Sequence, residues 1–290
     1  MPSIVRQKKL SRKDEHNGLN ISGGNVYINN FRKYGTTPYD VAVIHGGPGA
    51  AGEMAPVAIE ISKVHGTLEP LQTAASIEGQ IQELRLVLEK YGNIPLTMIG
   101  YSWGAWLSFI FAAQYPEFIR KLILIGSGPF EEKYAIGIME TRLSRLNEKE
   151  KLEVATLIKN LGSTDMKNKD ALFTRFGEVI SKADSFDPLQ MHNEQVKFQA
   201  AIHQIVWKEA EQLRHTGDLL KFGRKIHCPV HAIHGDYDPH PAEGVEKPLL
   251  KILKNFRFTL LKNCGHRPWV EKGAREEFYK ILKEEVCQKS

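Results

Sequence analysis

Apolar runs punctuate this chain, and polar stretches separate them. VAVIH (residues 41–45), LTMIG (96–100), KLILIG (121–126) and CPVHAIHG (228–235) carry almost no charge, and RFTLLK (257–262) is a fifth run. A strand covered by helices on both faces reads this way, because a parallel sheet exposes neither side to water. GNVYINNFRKYG (24–35) differs. Val26 and Ile28 alternate with polar neighbours, which predicts a half-exposed strand.

Between these runs the apolar spacing lengthens to three and four. Ile77, Ile81, Leu84 and Leu88 predict a helix over 73–91, with Gly92 turning left-handed at its end and Pro95 barring continuation. WGAWLSFIFAAQY predicts a largely apolar, buried helix that stops before Pro116, and GAREEFYKILKEEV predicts the last helix. Residues 131–222 are charge-rich and helical in pattern, without a convincing strand. Leu172, Phe176 and Val179 or Ile180 form one stripe, and Phe198, Ile202, Ile205 and Val206 form another. Asp187-Pro188 predicts a helix start, since proline is tolerated in a first turn. Strands alternating with helices predict an α/β fold with a mostly parallel sheet and helices on both faces. Residues 1–130 and 223–290 then form its core, and 131–222 is an inserted helical lid.

The chemistry concentrates where strands end. GYSWG (100–104) lies between the LTMIG strand and the apolar helix. A G-x-S-x-G segment in that context places its serine on a sharp strand-to-helix turn, beside the free N–H groups of the helix start. A serine hydroxyl needs a base within reach, a group to orient the base, and donors for the developing oxyanion. Ser102 is therefore the candidate nucleophile. His266, in NCGH after the RFTLLK run, is the candidate base. Asp238, in HGDYDPH after PVHAIHG, is the candidate acid on its spacing from Gly235, with Asp236 as the alternative. The chain order is Ser, Asp, His. HGGPG (45–49) follows the VAVIH strand, and its glycines let backbone approach a substrate oxygen. The Gly47 N–H, or that of Gly46, is expected to share the oxyanion with the Trp103 N–H. Gly46, Tyr101 and His240 are further candidates for lining the substrate site, Tyr101 and Trp103 being equally consistent with packing against the sheet.

HGGPG, GYSWG, CPV-x-x-IHG-x-x-D and NCGH, in this order, resemble the α/β-hydrolase superfamily over nearly the whole chain after the first twenty residues. The resemblance implies the α/β-hydrolase fold. HGGPG together with S-W-G is similar to the proline iminopeptidase branch, serine aminopeptidases that remove an N-terminal proline. That resemblance implies Ser102, Asp238 and His266 as the triad, and Gly47 and Trp103 as the oxyanion hole. The branch's D-x-R-G-x-G-x-S motif has no counterpart in HGTLEPLQTAASIEGQ (65–80). The expected function is accordingly a serine hydrolase that cleaves a small ester, thioester or amide through an acyl-enzyme. Proline iminopeptidase activity is the alternative. A non-catalytic ligand receptor and a cofactor-free lyase are others, and the intact triad argues against the receptor.

Composition narrows the field. Of 290 residues, 42% are hydrophobic and 25% charged, ordinary for a globular protein. A net charge of +5, from 39 basic and 34 acidic residues, is mild and dispersed. Its densest run, RQKKLSRKDEH (6–16), is short and mixed in sign. No nucleic-acid partner is expected, because such a partner requires a concentrated basic face. MPSIVRQKKLSRKDEHNGLN holds no apolar core for a signal, no apolar run is long enough for a bilayer span, and Cys228, Cys264 and Cys287 have no framework spacing. A cytoplasmic protein is expected, acting on a small molecule or short peptide, with no membrane partner and no cofactor. His227, His231, His234 and His240 alternate faces along a strand and do not converge on a metal. His234 is expected to pack beneath the acid loop, and Cys264 to be a small apolar filler. His192, His203 and Trp207 are candidates for reaching down into the cleft, with lid interior or lid surface the favoured reading.

Overall fold

The computed structural model describes residues 19–22, 25–28, 30–163, 168–190 and 197–288. The chain begins with an antiparallel ribbon of β1 (Leu19–Ser22) and β2 (Asn25–Ile28). It continues through β3 (Phe31–Tyr34), β4 (Tyr39–Ile44), the two-residue β5 (Ala50–Ala51), α1 (Ala55–Ile61), β6 (Gly66–Pro70), α2 (Ile77–Tyr91), β7 (Leu96–Tyr101), α3 (Trp103–Gln114) and β8 (Ile119–Ile125). A helical block follows: α4 (Ile138–Ser144), α5 (Glu148–Leu161), α6 (Lys169–Ala183), β9 (Lys197–Phe198), α7 (Ala200–His215) and α8 (Asp218–Lys221). The chain then returns to β10 (Val230–Gly235), α9 (Glu243–Ile252), β11 (Phe256–Leu261) and α10 (Arg275–Cys287).

Seven strands form the main sheet in the order β11-β10-β8-β7-β4-β6-β3. β3 runs antiparallel to β6, and the other neighbours are parallel. Alternation along each strand sends successive side chains to opposite faces. Ala42, Ile44 and Met98 pack with α2, α3 and α7 on one face. Val41, Val43 and Ile99 pack with α1 and α10 on the other. A third, smaller core of Leu146, Val154, Val179, Ile180 and Ala183 holds the helical block together.

Several expectations need correction. The second helix starts at Ile77, where the Ser76 hydroxyl accepts from the Gly79 N–H at 3.1 Å. Gly92 leaves that helix in extended backbone, φ −80° and ψ 146°. No helix starts at Asp187-Pro188: Pro188 bridges Glu271, and the Phe186 and Asp187 N–H groups donate to the Glu271 carboxylate at 2.9 and 2.8 Å. Phe198 belongs to β9, paired with β5, and Ile205 is exposed. β11 is an edge strand with partly exposed side chains, so it is not buried on both faces. β6, α1 and α9 were not anticipated. The basic run 6–16 and His192 lie outside the described residues.

Candidate active site

The turn into α3 is tight. Ser102 sits at φ 51° and ψ −115°, a backbone conformation that costs a non-glycine residue about 1–3 kcal/mol. The Ser102 N–H is held by the Ile125 carbonyl at 2.9 Å. Gly104 makes the turn possible, since a Cβ there would lie 2.4 Å from the His45 carbonyl oxygen and 2.5 Å from that of Ile44. Strand β4, its loop and the start of α3 therefore come into backbone contact beneath the serine.

His266 and Asp238 reach Ser102 from the loops after β11 and β10. His266 Nε2 lies 3.1 Å from Ser102 Oγ, and its Nδ1–H donates to Asp238 Oδ2 at 2.7 Å. Asp236 is turned elsewhere and accepts from the Cys264 N–H at 3.2 Å. The second Asp238 oxygen accepts from the backbone N–H and Nδ1–H of His240, at 2.9 and 2.8 Å. Burial penalises the Asp238 charge, but His266, His240 and His234 outweigh it and hold the carboxyl well below its ordinary pKa. Burial also opposes a charge on His266, yet Asp238 and its hydrogen bond raise the pKa above 6.5. Burial dominates at His240 and pushes it down to about 4, so that imidazole is neutral. His234 Nε2 donates to the His240 carbonyl at 2.8 Å and supports the acid loop from below.

The loop after β4 faces the same point. Gly47 lines the cleft with Ser102, Trp103 and Tyr101. Trp103 opens α3, so its N–H is one of the helix's orphan donors. Gly46 is buried: its carbonyl accepts from His45 Nδ1–H at 2.7 Å, and a Cβ on it would collide with the Tyr101 ring at 2.6 Å. His45 Nε2 accepts from the Gln72 N–H at 3.2 Å, which requires a neutral ring, and burial pushes His45 down to about 4. Tyr101 packs edge-on to Trp269 and tilted against His266. Cys264 is a buried thiol with a raised pKa, caused chiefly by desolvation.

Other side chains at the site left no motif in the sequence. Gln80 Oε1 accepts from Trp103 Nε1 at 3.0 Å, and its Nε2 donates to the Ala74 carbonyl at 3.0 Å. The Glu271 carboxylate accepts from the N–H groups of Gly265, Phe186 and Asp187, pinning the His266 loop to the segment that follows α6. Glu53 and Arg267 line the cleft, and burial raises the Glu53 carboxyl pKa. His203 and Trp207 also reach the cleft, the less favoured of their two readings. Both sit on α7, and Trp207 stacks on Trp106 with ring centroids 5.9 Å apart.

As a metal site, the four histidines of the 227–240 stretch do not converge. His227 is exposed, while His231 Nε2 meets the Thr259 hydroxyl at 2.8 Å. Asp238, His240 and His266 do bring ligand atoms within 4.8 Å of one another. Both imidazole Nδ1–H groups there already donate to the Asp238 oxygens. No helix among the described residues is long and apolar enough to cross a membrane.

Residues 42–268 match the sequence model of the family described as alpha/beta hydrolase fold, and the chain belongs to that family. It is 24% identical over 321 aligned residues to the proline iminopeptidase of Saccharolobus solfataricus, covering 98% of this chain and 96% of that one. Its structure is similar to that of VinJ, with a TM-score of 0.63 at 16% identity over 88% of this chain and 93% of VinJ. It is also similar to the monoacylglycerol lipase of Paleococcus ferrophilus, with a TM-score of 0.54 at 16% identity over 88% and 97%.

Proposed function

We propose that this chain is a serine hydrolase that cleaves a small ester, thioester or amide through a covalent acyl-enzyme. The observation carrying the proposal is the continuous hydrogen-bonded path from Ser102 Oγ through His266 to Asp238, at 3.1 and 2.7 Å. Ser102 attacks the carbonyl carbon while His266 Nε2 takes the hydroxyl proton. The N–H groups of Trp103 and Gly47 bind the oxyanion. His266 then gives its proton to the leaving group as the carbon–heteroatom bond breaks. A water molecule, deprotonated by His266, hydrolyses the acyl-serine and restores the free hydroxyl. Asp238 keeps the imidazole in the tautomer that has its lone pair on Nε2. The helical block from α4 to α7 serves as a lid over the cleft, with a small molecule or short peptide as the substrate beneath it.

Proline iminopeptidase activity is the second reading, supported by the Saccharolobus relative named above. Initial rates on a prolyl anilide and a short-chain aryl ester, for the wild type beside Ser102→Ala, separate the two. A Ser102-dependent rate dominated by the ester supports the general acyl hydrolase. Dominance of the prolyl substrate moves the aminopeptidase ahead. Rates indifferent to Ser102 overturn both, and favour a receptor or lyase on the same scaffold.

A further inference from the structure

The cleft divides at Ser102 into two chambers of unequal size. The smaller, about 240 Å³, is lined by Trp106, Pro129, Ile138 and Arg214 among others. The larger, about 990 Å³, has Phe173, Phe176, Ile180 and Phe198 on the helical-block side, and Ile59 and Val270 on the core side. Ser102, Trp103, Met139, Arg142, Trp207 and His240 border both. His266 and Gly47 border the larger chamber alone.

We propose that the small chamber seats the acyl group of the substrate and the large chamber seats its leaving group. This rests on the serine-hydrolase reading above and follows from where the proton must go. In that mechanism the group that departs is the one His266 protonates, so it lies on the side of Ser102 that His266 faces. That side is the large chamber. With the carbonyl oxygen directed at Gly47 and Trp103, the remaining substituent on the carbonyl carbon points into the small chamber.

Size and charge then define the substrate. A cavity of about 150 Å³ accommodates a benzene ring, so the small chamber is filled by a compact ring or short branched chain, and a long acyl chain would have to leave it. Its charged groups have partners. Arg142 is bidentate to Asp184, Arg214 donates to Glu132 at 2.8 Å, and Glu211 accepts from Trp207 Nε1 at 2.8 Å. Nothing there calls for a charged acyl group. The large chamber lies at the upper end of the volumes typical of small-molecule sites, and its aromatic wall suits a bulky, mainly apolar leaving group. The substrate class is an ester, thioester or amide of a compact uncharged acid with a larger alcohol, thiol or amine.

Two ester series test this. One holds p-nitrophenol as the leaving group and varies the acyl chain from butanoyl to dodecanoyl. The other holds the butanoyl group and varies the alcohol from ethanol to octanol, so that leaving-group basicity barely changes. We expect kcat/KM to fall roughly tenfold or more along the acyl series, and to rise along the alcohol series. Ile138→Ala should relax the acyl-chain ratio and leave the alcohol ratio in place. Phe173→Ala should do the reverse. Because each readout is a ratio within one protein sample, partial loss of folded protein does not alter it. Opposite responses of the two variants, or a preference for dodecanoyl over butanoyl, overturn the chamber assignment while Ser102-dependent turnover leaves the hydrolase reading intact. Absence of Ser102-dependent turnover across both series overturns that reading, and the assignment with it.

Discussion

Asp238 divides its carboxylate between two imidazoles. Oδ2 accepts from His266 Nδ1 at 2.7 Å, and Oδ1 accepts from His240 Nδ1 at 2.8 Å. The two rings lie with centroids 4.6 Å apart. His240 is neutral, so it draws on the carboxylate as a dipole without competing as a cation. Its backbone N–H adds a further donor to the same oxygen. The charge that orients and stabilises the His266 imidazolium is therefore shared with a neighbour that lines the cleft.

This sharing sets a pH dependence. The His266 pKa is raised above 6.5, so the ring stays protonated to higher pH than a free imidazole. A protonated Nε2 cannot take the Ser102 proton. Activity should fall as pH drops through that raised pKa, and the acid limb of kcat/KM should lie above pH 6.5. His240→Ala removes one donor from Asp238 and leaves its charge to act more fully on His266. The acid limb should move to still higher pH. The lost bond also held the carboxylate in place, so maximal kcat should fall, by roughly tenfold if the whole of a charge-assisted hydrogen bond of about 1.5 kcal/mol is felt in the transition state. A pH–rate profile of both proteins checks the sign; an unmoved limb would show that His240 does not tune the base.

Asp238→Asn probes the same contact more severely. An amide offers one acceptor and one donor group, whereas two Nδ1–H groups converge on this side chain. One imidazole must turn or change tautomer. If it is His266, the Nε2 lone pair is lost, and kcat should drop about 10⁴-fold, as in the general Ser-His-Asp template. Stopped-flow measurement of acyl-enzyme formation with an aryl ester gives the readout. A loss below tenfold would mean that His240 is the ring that turns, that His266 keeps its tautomer, and that the Asp238 charge adds little to the rate.

What could be read from the sequence follows from how local each signal is. β4, β7, β8 and β10 are buried on both faces, so their apolar runs announce them. β6 is equally buried, yet GTLEP contains a glycine, a glutamate and a proline. Glu69 is tolerated there because the Tyr34 hydroxyl donates to it at 2.8 Å and Arg32 lies 3.6 Å away, contacts no local window contains. Helix α9 was obscured by Pro248 within it. Ser102, Asp238 and His266 were legible because each lies in a short motif just past the end of an apolar strand. Glu271 was not, and His203 and Trp207 could be named only as lid residues within reach of the cleft, because their placement comes from a helix or loop folding back over distant segments.

Gln80 shows how such a hidden residue can be tested. It sits on α2 and is buried, joining the Trp103 indole to the loop that follows β6. Gln80→Leu fills nearly the same volume but leaves Trp103 Nε1 and the Ala74 carbonyl without these partners. Stability should fall by about 1–3 kcal/mol, the cost of a buried polar group left unsatisfied. Chemical denaturation measures the loss. Because Trp103 also borders both chambers, kcat/KM should drop with the folded protein at constant concentration. An unchanged denaturation midpoint would mean that water replaces the glutamine at no cost.

Arg142 and Asp184 connect the helical block to His266. Arg142, on α4, makes a bidentate pair with Asp184 at 2.7 and 2.7 Å. The Asp184 carbonyl accepts from the His266 N–H at 2.8 Å. Removing the guanidinium strands a buried carboxylate, so Arg142→Met should cost about 3–5 kcal/mol. Asp184→Asn strands a buried cation and should cost a similar amount. The double variant removes both charges and should be less destabilised than the two single losses added together, because neither charge is left unpaired. That non-additivity, read from denaturation of all four proteins, separates a true charge pair from two independent packing sites. The carbonyl contact to His266 survives in every variant. Activity in the double variant should therefore recover with stability; if stability returned and kcat did not, Arg142 would have a direct role at the cleft it lines.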